Sequence, residues 1–243
     1  MQYWELTDPG CVRTQNQDAY QTERLDRDTL LCVVCDGMGG AKSGNIASSL
    51  AIDVFVQEVK RSWVSGMEPD KVEQMLNSAV KLANFTVYDQ SRQFEEFQGM
   101  GTTLVAALIR NREAYIANVG DSRAYTVSAN GIQQITKDHS LVQMMVERGE
   151  ITQEQARTYP GKNFITRAIG TESMVECDFF HKKLDRGDCL LLCSDGLSNM
   201  MDDQEILFEV VHGMNKKQCC QRLLNIAKSR GAPDNVTSIL IQI

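Results

Sequence analysis

Continuous apolar runs that stop at an acidic residue are the most regular feature of this sequence. Residues 30–35 are all apolar and are followed at once by Asp36, and residues 189–193 lead through Ser194 into Asp195. Short apolar runs rich in Val and Leu are typical of strands that are buried on both faces. The sequence therefore predicts two buried strands with a carboxylate at the end of each.

Three further aspartates lie at the boundaries of predicted strands: Asp121 after a strand at 115–119, Asp234 before a strand at 236–241, and Asp18 before a short strand at 19–22. Five carboxylates placed in this way can meet at one edge of a sheet, where they would repel each other without a cation. Carboxylate oxygens suit Mg²⁺ or Mn²⁺ rather than zinc. The pattern predicts a site for one or two divalent cations.

Helical spacing of apolar residues predicts the elements between these strands. The two longest helices are expected at 45–63 and 70–94, separated by a turn that contains Pro69. Shorter helices are expected at the following positions: 141–147, 204–211 and 216–229.

Four strands are predicted in quick succession, at 102–109, 113–119, 123–127 and 132–136, each joined to the next by about three residues. Such short links predict antiparallel pairing of consecutive strands. Further strands are expected at 3–7 and 174–181. Residues 151–170 contain few large apolar side chains, so we expect a mobile segment on the surface.

Composition limits the class of protein. With 243 residues, of which 42% are hydrophobic and 23% charged, the chain fits one globular domain over residues 1–243. The net charge of −7 argues against a nucleic-acid-binding surface. Because no apolar run approaches the roughly 20 residues of a membrane span, and the N-terminus lacks the pattern of a signal peptide, we expect no membrane contact and a cytoplasmic location.

The cysteines and histidines favour neither disulfides nor a zinc site. Cys32 and Cys35 point to opposite faces of a strand, and Cys189 and Cys193 are too far apart to bind one ion together. We expect the eight cysteines to be buried, reduced thiols. The three histidines are widely spread: His139, His181 and His212.

Two nucleotide-binding motifs fail at the glycine-rich stretch after Asp36. A phosphate loop ending at Lys42 and Ser43 would need glycine at positions 36 and 41. A dinucleotide fingerprint starting at Gly37 would need glycine at position 42. The glycines instead allow a sharp turn whose carbonyls approach a ligand closely.

Eight short motifs, in chain order, resemble those of the type 2C metal-dependent serine/threonine phosphatases, and the Met-Gly-Gly form of the second resembles the bacterial branch. The motifs are Arg13-x-x-Asn16-x-Asp18, Asp36-Gly37-Met38-Gly39-Gly40, Gly101-Thr102-Thr103, Gly120-Asp121-Ser122-Arg123, Asp138-His139-Ser140, Ile165-Thr166-Arg167-Ala168-Ile169-Gly170, Ser194-Asp195-Gly196-Leu197 and Asp234-Asn235-Val236-Thr237. Each motif alone is weak, but eight in order over the chain are specific.

The resemblance implies an α+β fold, a four-layer α/β/β/α sandwich of two central antiparallel sheets flanked by helices. It also implies a flap beside the active site at about 151–170, for which we expect a role in gating or selecting phosphoproteins. Two Mn²⁺ or Mg²⁺ ions are implied at one edge of the sandwich, with a third in bacterial members. The implied roles are a bridging ligand (Asp36), a carbonyl ligand (Gly37), ligands of the other ion (Asp195 and Asp234), a third-ion site (Asp121 with Asp195), a hydrogen-bond partner of metal-bound water (Asp18) and a phosphate-binding arginine (Arg13).

The implied function is hydrolysis of phosphoserine and phosphothreonine in proteins by metal-activated water, opposing a serine/threonine kinase, in a chain expected to be monomeric. One alternative is an inactive relative that binds phosphoproteins, but such relatives normally lack metal carboxylates that are present here. Another alternative is an enzyme with Asp36 as nucleophile, which usually needs a DxD motif, whereas position 38 is Met.

Two positions depart from the pattern of the family. Gln17 replaces a frequent Glu, which removes a charge near the expected ions. Met38 replaces the histidine that is proposed as general acid in the eukaryotic branch, so protonation of the leaving group has no assigned residue. His139 also has no assigned role.

Overall fold

The computed structural model describes residues 1–39, 43–213 and 215–243. Gly40 of the second motif and Lys42 of the rejected phosphate loop therefore lie outside the described residues. Within the described part of the chain, two antiparallel sheets stack face to face and helices cover the outer face of each.

The first sheet contains five strands. From edge to edge they are β1 (Gln2–Asp8), β11 (Val236–Gln242), β10 (Cys189–Cys193), β7 (Arg123–Ser128) and β8 (Gly131–Gln134). The C-terminal strand thus lies between the N-terminal strand and β10. The helices on this side are α5 (Asp195–Ser198), α6 (Asp203–His212) and α7 (Cys219–Ser229), with a 3₁₀ turn at Lys216–Gln218.

The second sheet contains the strands β2 (Asp18–Arg24), β3 (Thr29–Met38), β5 (Leu104–Arg110), β6 (Glu113–Val119) and β9 (Asp178–Lys183), in this order, and the short β4 (Gly101–Thr102) pairs with the end of β3. It is covered by α1 (Gly44–Ser62) and α2 (Pro69–Gln93), after which a 3₁₀ turn follows at Glu95–Phe97. The remaining helices are α3 (Leu141–Glu147) and α4 (Gln153–Thr158).

Strand β3 lies between β2 and β5 in the second sheet and is buried on both faces. Leu31, Val33 and Cys35 pack against the helices, whereas Leu30 and the alternate side chains after it pack against the first sheet. Such two-sided burial explains why the run contains no polar residue before Asp36. The four-layer α+β sandwich is the predicted fold.

The link between β6 and β7 differs from the prediction. We expected these two strands to pair, but β6 belongs to the second sheet and β7 to the first. The link Gly120-Asp121-Ser122 crosses between the stacked sheets, and Gly120 has a φ of +106°, which favours glycine. A short link therefore does not imply pairing when two sheets lie face to face, and here it places Asp121 between them.

Three smaller predictions also need correction. Residues 153–158 form a helix inside the segment expected to be irregular, and the strand expected from residue 174 begins only at Asp178. Cys11 is exposed and Cys177 is half-buried, whereas the other six cysteines are buried; all eight are unpaired. None of the described helices is long and apolar enough to cross a membrane.

Candidate metal centre

Four of the five predicted aspartates line one open pocket of about 460 Å³ at an end of the sandwich. They are contributed by the end of β3 (Asp36), the crossing link (Asp121), the start of α5 (Asp195) and the residues before β11 (Asp234). Arg13, Gly37 and Gln17 line the same pocket. Both sheets therefore supply carboxylates to one site.

Backbone hydrogen bonds hold Asp36 at the pocket. The Thr103 hydroxyl accepts a hydrogen bond from the Asp36 N–H at 2.9 Å, and the Thr103 N–H donates to the Asp36 carbonyl at 2.9 Å. Thr102 donates its hydroxyl to the same carbonyl at 2.9 Å. The Gly-Thr-Thr motif thus fixes the backbone of Asp36, leaving its half-buried carboxylate to face the pocket.

Gly37 must be a glycine because the backbone of other segments passes close to it. A Cβ at this position would lie 2.1 Å from the carbonyl oxygen of Gly44 and 2.6 Å from that of Gln17. The Gly37 N–H also donates to the Gln17 carbonyl at 3.1 Å. The start of α1 and the N-terminal loop are therefore packed directly against the residue predicted to supply a carbonyl ligand.

The link that carries Asp121 is tied to the Asp36 region. The hydroxyls of Ser122 and Thr103 are 2.7 Å apart and hydrogen-bonded, and a Cβ at Gly120 would lie 2.6 Å from the Thr103 methyl. One buried threonine therefore sets the relative position of Asp36 and Asp121, although they come from different parts of the chain.

Asp195 begins the short helix α5, and one of its oxygens has no donor. Its Oδ2 accepts a hydrogen bond from the Asn199 amide at 2.9 Å. Its Oδ1 is buried and has no hydrogen-bond partner among the described residues, although the Asp36 carboxyl group lies close to it. A buried carboxylate oxygen without a protein donor is free to accept from water or to bind a cation.

Asp18 lies behind the pocket rather than on its wall. It is the cross-strand partner of Asp36 and is only 8% exposed. Its Oδ2 accepts hydrogen bonds from the hydroxyls of Ser194, at 2.8 Å, and Thr237, at 2.6 Å. Its Oδ1 has no partner within the described part of the chain, so it is left to accept a hydrogen bond from water or another ligand.

Arg13 and Asp234 form an ion pair at the rim of the pocket. Their Nη2 and Oδ2 atoms are 2.8 Å apart, and the two side chains are 53% and 33% exposed. Arg13 was predicted to bind a phosphate and Asp234 a cation. The structure brings both residues to the same pocket, where they bind each other.

Asn235 holds this rim in place. Its amide group donates to the carbonyls of Pro9 and Gln15, each at 3.0 Å, and accepts from the Gln17 N–H at 2.8 Å. Asn235 belongs to the motif Asp234-Asn235-Val236-Thr237. The sequence did not indicate, however, that its buried side chain would bind the N-terminal loop to the residues before β11.

The family called Protein phosphatase 2C matches residues 12–235 of this sequence. The chain belongs to the protein phosphatase 2C family. The serine/threonine phosphatase stp of Listeria welshimeri is 34% identical over 236 residues, which cover 97% of this chain and 93% of the relative. This confirms the predicted family and makes the chain an enzyme of the phosphoprotein phosphatase type.

Solved structures of related phosphatases agree with the fold. The serine/threonine phosphatase Stp1 from Staphylococcus aureus superposes with a TM-score of 0.94 at 38% identity, covering 99% of this chain and 94% of that one. The catalytic domain of the phosphatase PstP, in complex with two manganese ions, superposes with a TM-score of 0.85 at 32% identity, covering 98% and 96% of the two chains. The predicted four-layer sandwich is confirmed.

The pocket of this phosphatase is strongly acidic. Burial, followed by repulsion from Asp18, Asp195 and the other carboxylates, raises the pKa of Asp36 well above its ordinary value. Burial and the charge of Asp195 raise the pKa of Asp121 in the same direction. The pKa of Asp195 is raised by burial and then by Asp234. Without a cation, ionisation of all these groups at neutral pH is opposed by their neighbours.

The residues of this phosphatase pocket fit divalent cations. The donors are carboxylates and one backbone carbonyl, and the Oδ1 atoms of both Asp18 and Asp195 are buried without a donor among the described residues. Among the described residues, no three His, Cys, Asp or Glu side chains are close enough together to hold one metal ion as they stand, so the carboxylates line the pocket without converging on one point. This open arrangement suits Mg²⁺ or Mn²⁺, since Mg²⁺ keeps several of its own waters when it binds a protein.

Proposed function

We propose that this pocket removes phosphate from phosphoserine and phosphothreonine in proteins. Two divalent cations, Mn²⁺ or Mg²⁺, would be held by Asp36, the Gly37 carbonyl, Asp195 and Asp234, and a third by Asp121 with Asp195. The observation that carries the proposal is the meeting of four carboxylates from two sheets in one open pocket beside an arginine.

Bound divalent cations lower the pKa of water and stabilise the oxygens of an in-line displacement at phosphorus. The carboxylates of the chain supply the charge that attracts these ions. Water is then the nucleophile, so no serine, cysteine or aspartate of the chain needs to form a phosphoenzyme. Such a pocket differs from one with Asp36 as nucleophile, which would place a second acidic residue at position 38.

Arg13 is the residue that we expect to bind the phosphoryl group of the substrate. Its guanidinium is half exposed at the rim, and Asp234 is its only hydrogen-bond partner in the described part of the chain. A guanidinium has five N–H donors in a planar fork, so it can bind two phosphate oxygens at once. An exposed ion pair is weak enough to be exchanged for a phosphate.

Asp18 is placed to orient a water molecule. Two hydroxyls occupy its Oδ2, which leaves its Oδ1 as the acceptor that faces away from them. Ser194, which donates to Asp18, directly precedes Asp195 in the chain. A water held by Asp18 would therefore lie beside the carboxylates that we assign to the cations.

The proposal extends to the domain, the substrates and the location of the phosphatase. We propose that residues 1–243 act as one phosphatase domain whose flap, at about 151–170, helps to select phosphoprotein substrates. The phosphatase would oppose a serine/threonine kinase, as a monomer in the cytoplasm. The net charge of −7 disfavours nucleic acid as a partner.

A phosphothreonine peptide tests the proposal directly. We expect the purified chain to release inorganic phosphate from it when Mn²⁺ is present, and chelation followed by dialysis to abolish the release until Mn²⁺ is restored. Release that survives chelation would contradict the metal assignment.

The same assay separates the alternative of an inactive phosphoprotein-binding relative. That relative would bind the phosphopeptide, measured by fluorescence anisotropy, without releasing phosphate at any Mn²⁺ or Mg²⁺ concentration. The four carboxylates that line the pocket, which are the four that we assign to cations, favour the active enzyme.

A further inference from the structure

The position of Asp121 depends on how the crossing link is held. This link joins two sheets instead of continuing a strand, so no ladder of backbone hydrogen bonds fixes it. Gly120 lies at a φ of +106°, a region in which glycine has wide conformational freedom. The contacts of Gly120, together with the hydrogen bond between Ser122 and Thr103, therefore orient the Asp121 carboxylate.

Both polar backbone groups of Gly120 are bound by one residue, His139. The Gly120 N–H donates to His139 Nδ1 at 3.0 Å, and the His139 N–H donates to the Gly120 carbonyl at 3.0 Å. His139 is 7% exposed, so water does not compete effectively for these bonds. Its imidazole and its backbone together fix the peptide groups on either side of Gly120.

The hydrogen bonds also assign the tautomer of His139. Because Nδ1 accepts from Gly120, the ring proton of the neutral imidazole is on Nε2. Nε2 therefore donates to the Asp178 Oδ2 at 3.2 Å, and the Arg167 Nη1 atom, which binds the same carboxylate, also lies 3.0 Å from Nε2. Arg167 donates to the other oxygen of Asp178 at 2.7 Å, so the carboxylate that orients the ring is itself held in place.

The residue before His139 holds the other end of the same link. Asp138 accepts hydrogen bonds from the Arg123 Nε and Nη2 atoms at 2.6–3.0 Å, and Arg123 directly follows Ser122. His139 thus binds the backbone of Gly120, just before Asp121, and Asp138 binds the side chain of Arg123, two residues after Asp121. The two motifs Gly-Asp-Ser-Arg and Asp-His-Ser form one structural unit.

We propose that His139 is a positioning residue for Asp121, through the hydrogen bond that its Nδ1 accepts from Gly120. The inference rests on the proposed role of Asp121 as a cation ligand. Without the acceptor at Nδ1, the buried Gly120 N–H loses its partner, and the link before Asp121 is held only through the Gly120 carbonyl, by the His139 N–H and the Asn118 amide. Asp121 is then oriented less firmly toward the pocket. Partners that orient metal ligands in this way typically contribute 10–100-fold to metal affinity.

Two substitutions separate the contacts of the two ring nitrogens. In His139→Asn the amide oxygen is three bonds from Cα, as Nδ1 is, so it can still accept from Gly120. In His139→Gln the amide nitrogen is four bonds from Cα, as Nε2 is, so it keeps a donor for Asp178 but supplies no acceptor at Nδ1. The proposal therefore predicts loss in the Gln variant and rescue in the Asn variant.

Isothermal titration of Mn²⁺ into the chelated and dialysed protein measures the effect without any turnover. We expect His139→Gln to weaken the binding step that Asp121→Asn also weakens, by about 10-fold or more, and His139→Asn to stay close to wild type. In the double variant of Asp121→Asn with His139→Gln, we expect no further loss, since both changes act on one ligand.

His181→Asn is the matched control, because this histidine is half exposed and stacked on Tyr115 in the same sheet. It should bind Mn²⁺ as wild type does. If His139→Gln is poorly folded by circular dichroism, Asp178→Asn takes its place, since it removes the charge that orients the ring and should weaken the same binding step a few-fold.

Three results would overturn the inference. The first is that His139→Gln binds Mn²⁺ as wild type does while Asp121→Asn binds it more weakly. The second is that His139→Asn and His139→Gln lose Mn²⁺ affinity equally. The third is that the losses of affinity add up in the double variant. If Asp121→Asn itself binds Mn²⁺ as wild type does, the role of Asp121 as a ligand is wrong and the inference falls with it. Phosphate release that depends on Mn²⁺ would then still support the proposed function.

Discussion

The two sides of the pocket are held in different ways. On the inner side, Asp36 and Asp121 are fixed through Thr103 and His139, which are 2% and 7% exposed. At the rim, Arg13 is held by its ion pair with Asp234, whose other oxygen accepts from the Asn235 N–H at 2.9 Å, and the side chains of Arg13 and Asp234 are 53% and 33% exposed. The inner side is therefore built into the packing of the two sheets, whereas the rim depends on an ion pair in contact with water.

This difference separates the proposed cation ligands on the inner side from the proposed phosphate-binding Arg13, with Asp234, also a proposed cation ligand, in contact with both. Cation ligands need a stable geometry, which buried hydrogen bonds to backbone groups supply. A substrate phosphate must enter and leave, and an exposed ion pair, worth about 0–1 kcal/mol, can exchange partners for it. The predictions below test the inner side and the rim against each other.

The largest effect should come from the inner side. We expect Asp36→Asn and Asp195→Asn each to lower kcat/KM for a phosphothreonine peptide by roughly a thousandfold, because losing several kcal/mol of charge stabilisation corresponds to about three powers of ten. Asp53→Asn, on the exposed face of α1, is the matched control and should keep full activity. Activity within tenfold of wild type in Asp36→Asn would remove this residue from the metal site.

A smaller loss is expected at the rim. Arg13→Ala should lower kcat/KM by about 10–100-fold, since a hydrogen bond to a charged group contributes about 1.5–3 kcal/mol. Arg13→Lys should recover only part of this, because an ammonium cannot bind two phosphate oxygens in the plane of a guanidinium. Steady-state kinetics with the phosphopeptide measures both.

Mn²⁺ titration of the same arginine variants sharpens the comparison. Arg13→Ala should bind Mn²⁺ at least as tightly as wild type, because Asp234 loses a competing partner. Weaker Mn²⁺ binding in this variant would mean that Arg13 supports the metal site rather than the substrate.

The next effect concerns stability. Thr103→Val keeps the shape of the side chain but removes the acceptor of the Asp36 N–H and the partner of Ser122. We expect the free energy of unfolding to fall by about 1–3 kcal/mol, the cost of a buried donor without a partner. Urea unfolding of the metal-free protein measures it, and Thr126→Val, in the half-exposed part of β7, should change stability by less than about 0.5 kcal/mol.

The smallest effect is the pH dependence of the metal-free protein. The pKa of Asp36 is raised in the folded chain and ordinary, near 4, in the unfolded chain. Its contribution to stability is therefore complete at low pH and is lost as the pH rises through the folded pKa. Relative to Asp36→Asn, we expect acidification from pH 8 to pH 6 to raise the Tm of the wild type by about 2–4 °C, the shift that about 1 kcal/mol gives at this size. Calorimetry in Mn²⁺ should show no such gain, and a wild type that loses Tm relative to the variant would contradict the raised pKa.

The carboxylates were predictable because each lies at one boundary of a predicted strand, and that pattern is local. Asp36 and Asp195 follow strands that the sequence shows directly. The crossing of the chain at Asp121 was not predictable, since a three-residue link has the same pattern whether its strands pair or lie in different sheets. The helix in the flap was missed because only Ala156 of its six residues is buried; the capping box of Thr152 and Gln155 was the available signal.

The roles of Asn235 and His139, which hold the backbone around the pocket, could not be predicted from the sequence for another reason. Asn235 and His139 act by binding backbone groups of segments that are distant in sequence, from 19 residues away for His139 to 226 for Asn235. Such bonds exist only once the two sheets are stacked, and they leave no periodicity in the chain. The motifs showed that these residues matter for the family pattern, but only the structure shows what each one binds.

The last strand of the described fold, β11, is inserted between β1 and β10, with Asp234 just before it. While the polypeptide is still being synthesised, a nascent chain that stops before residue 234 lacks this wall of the pocket and leaves β1 unpaired. The pocket can thus be completed only after residue 234 and the strand that follows it have been synthesised. A product that ends before this strand would lack the Asp234 side of the pocket and the partner strand of β1.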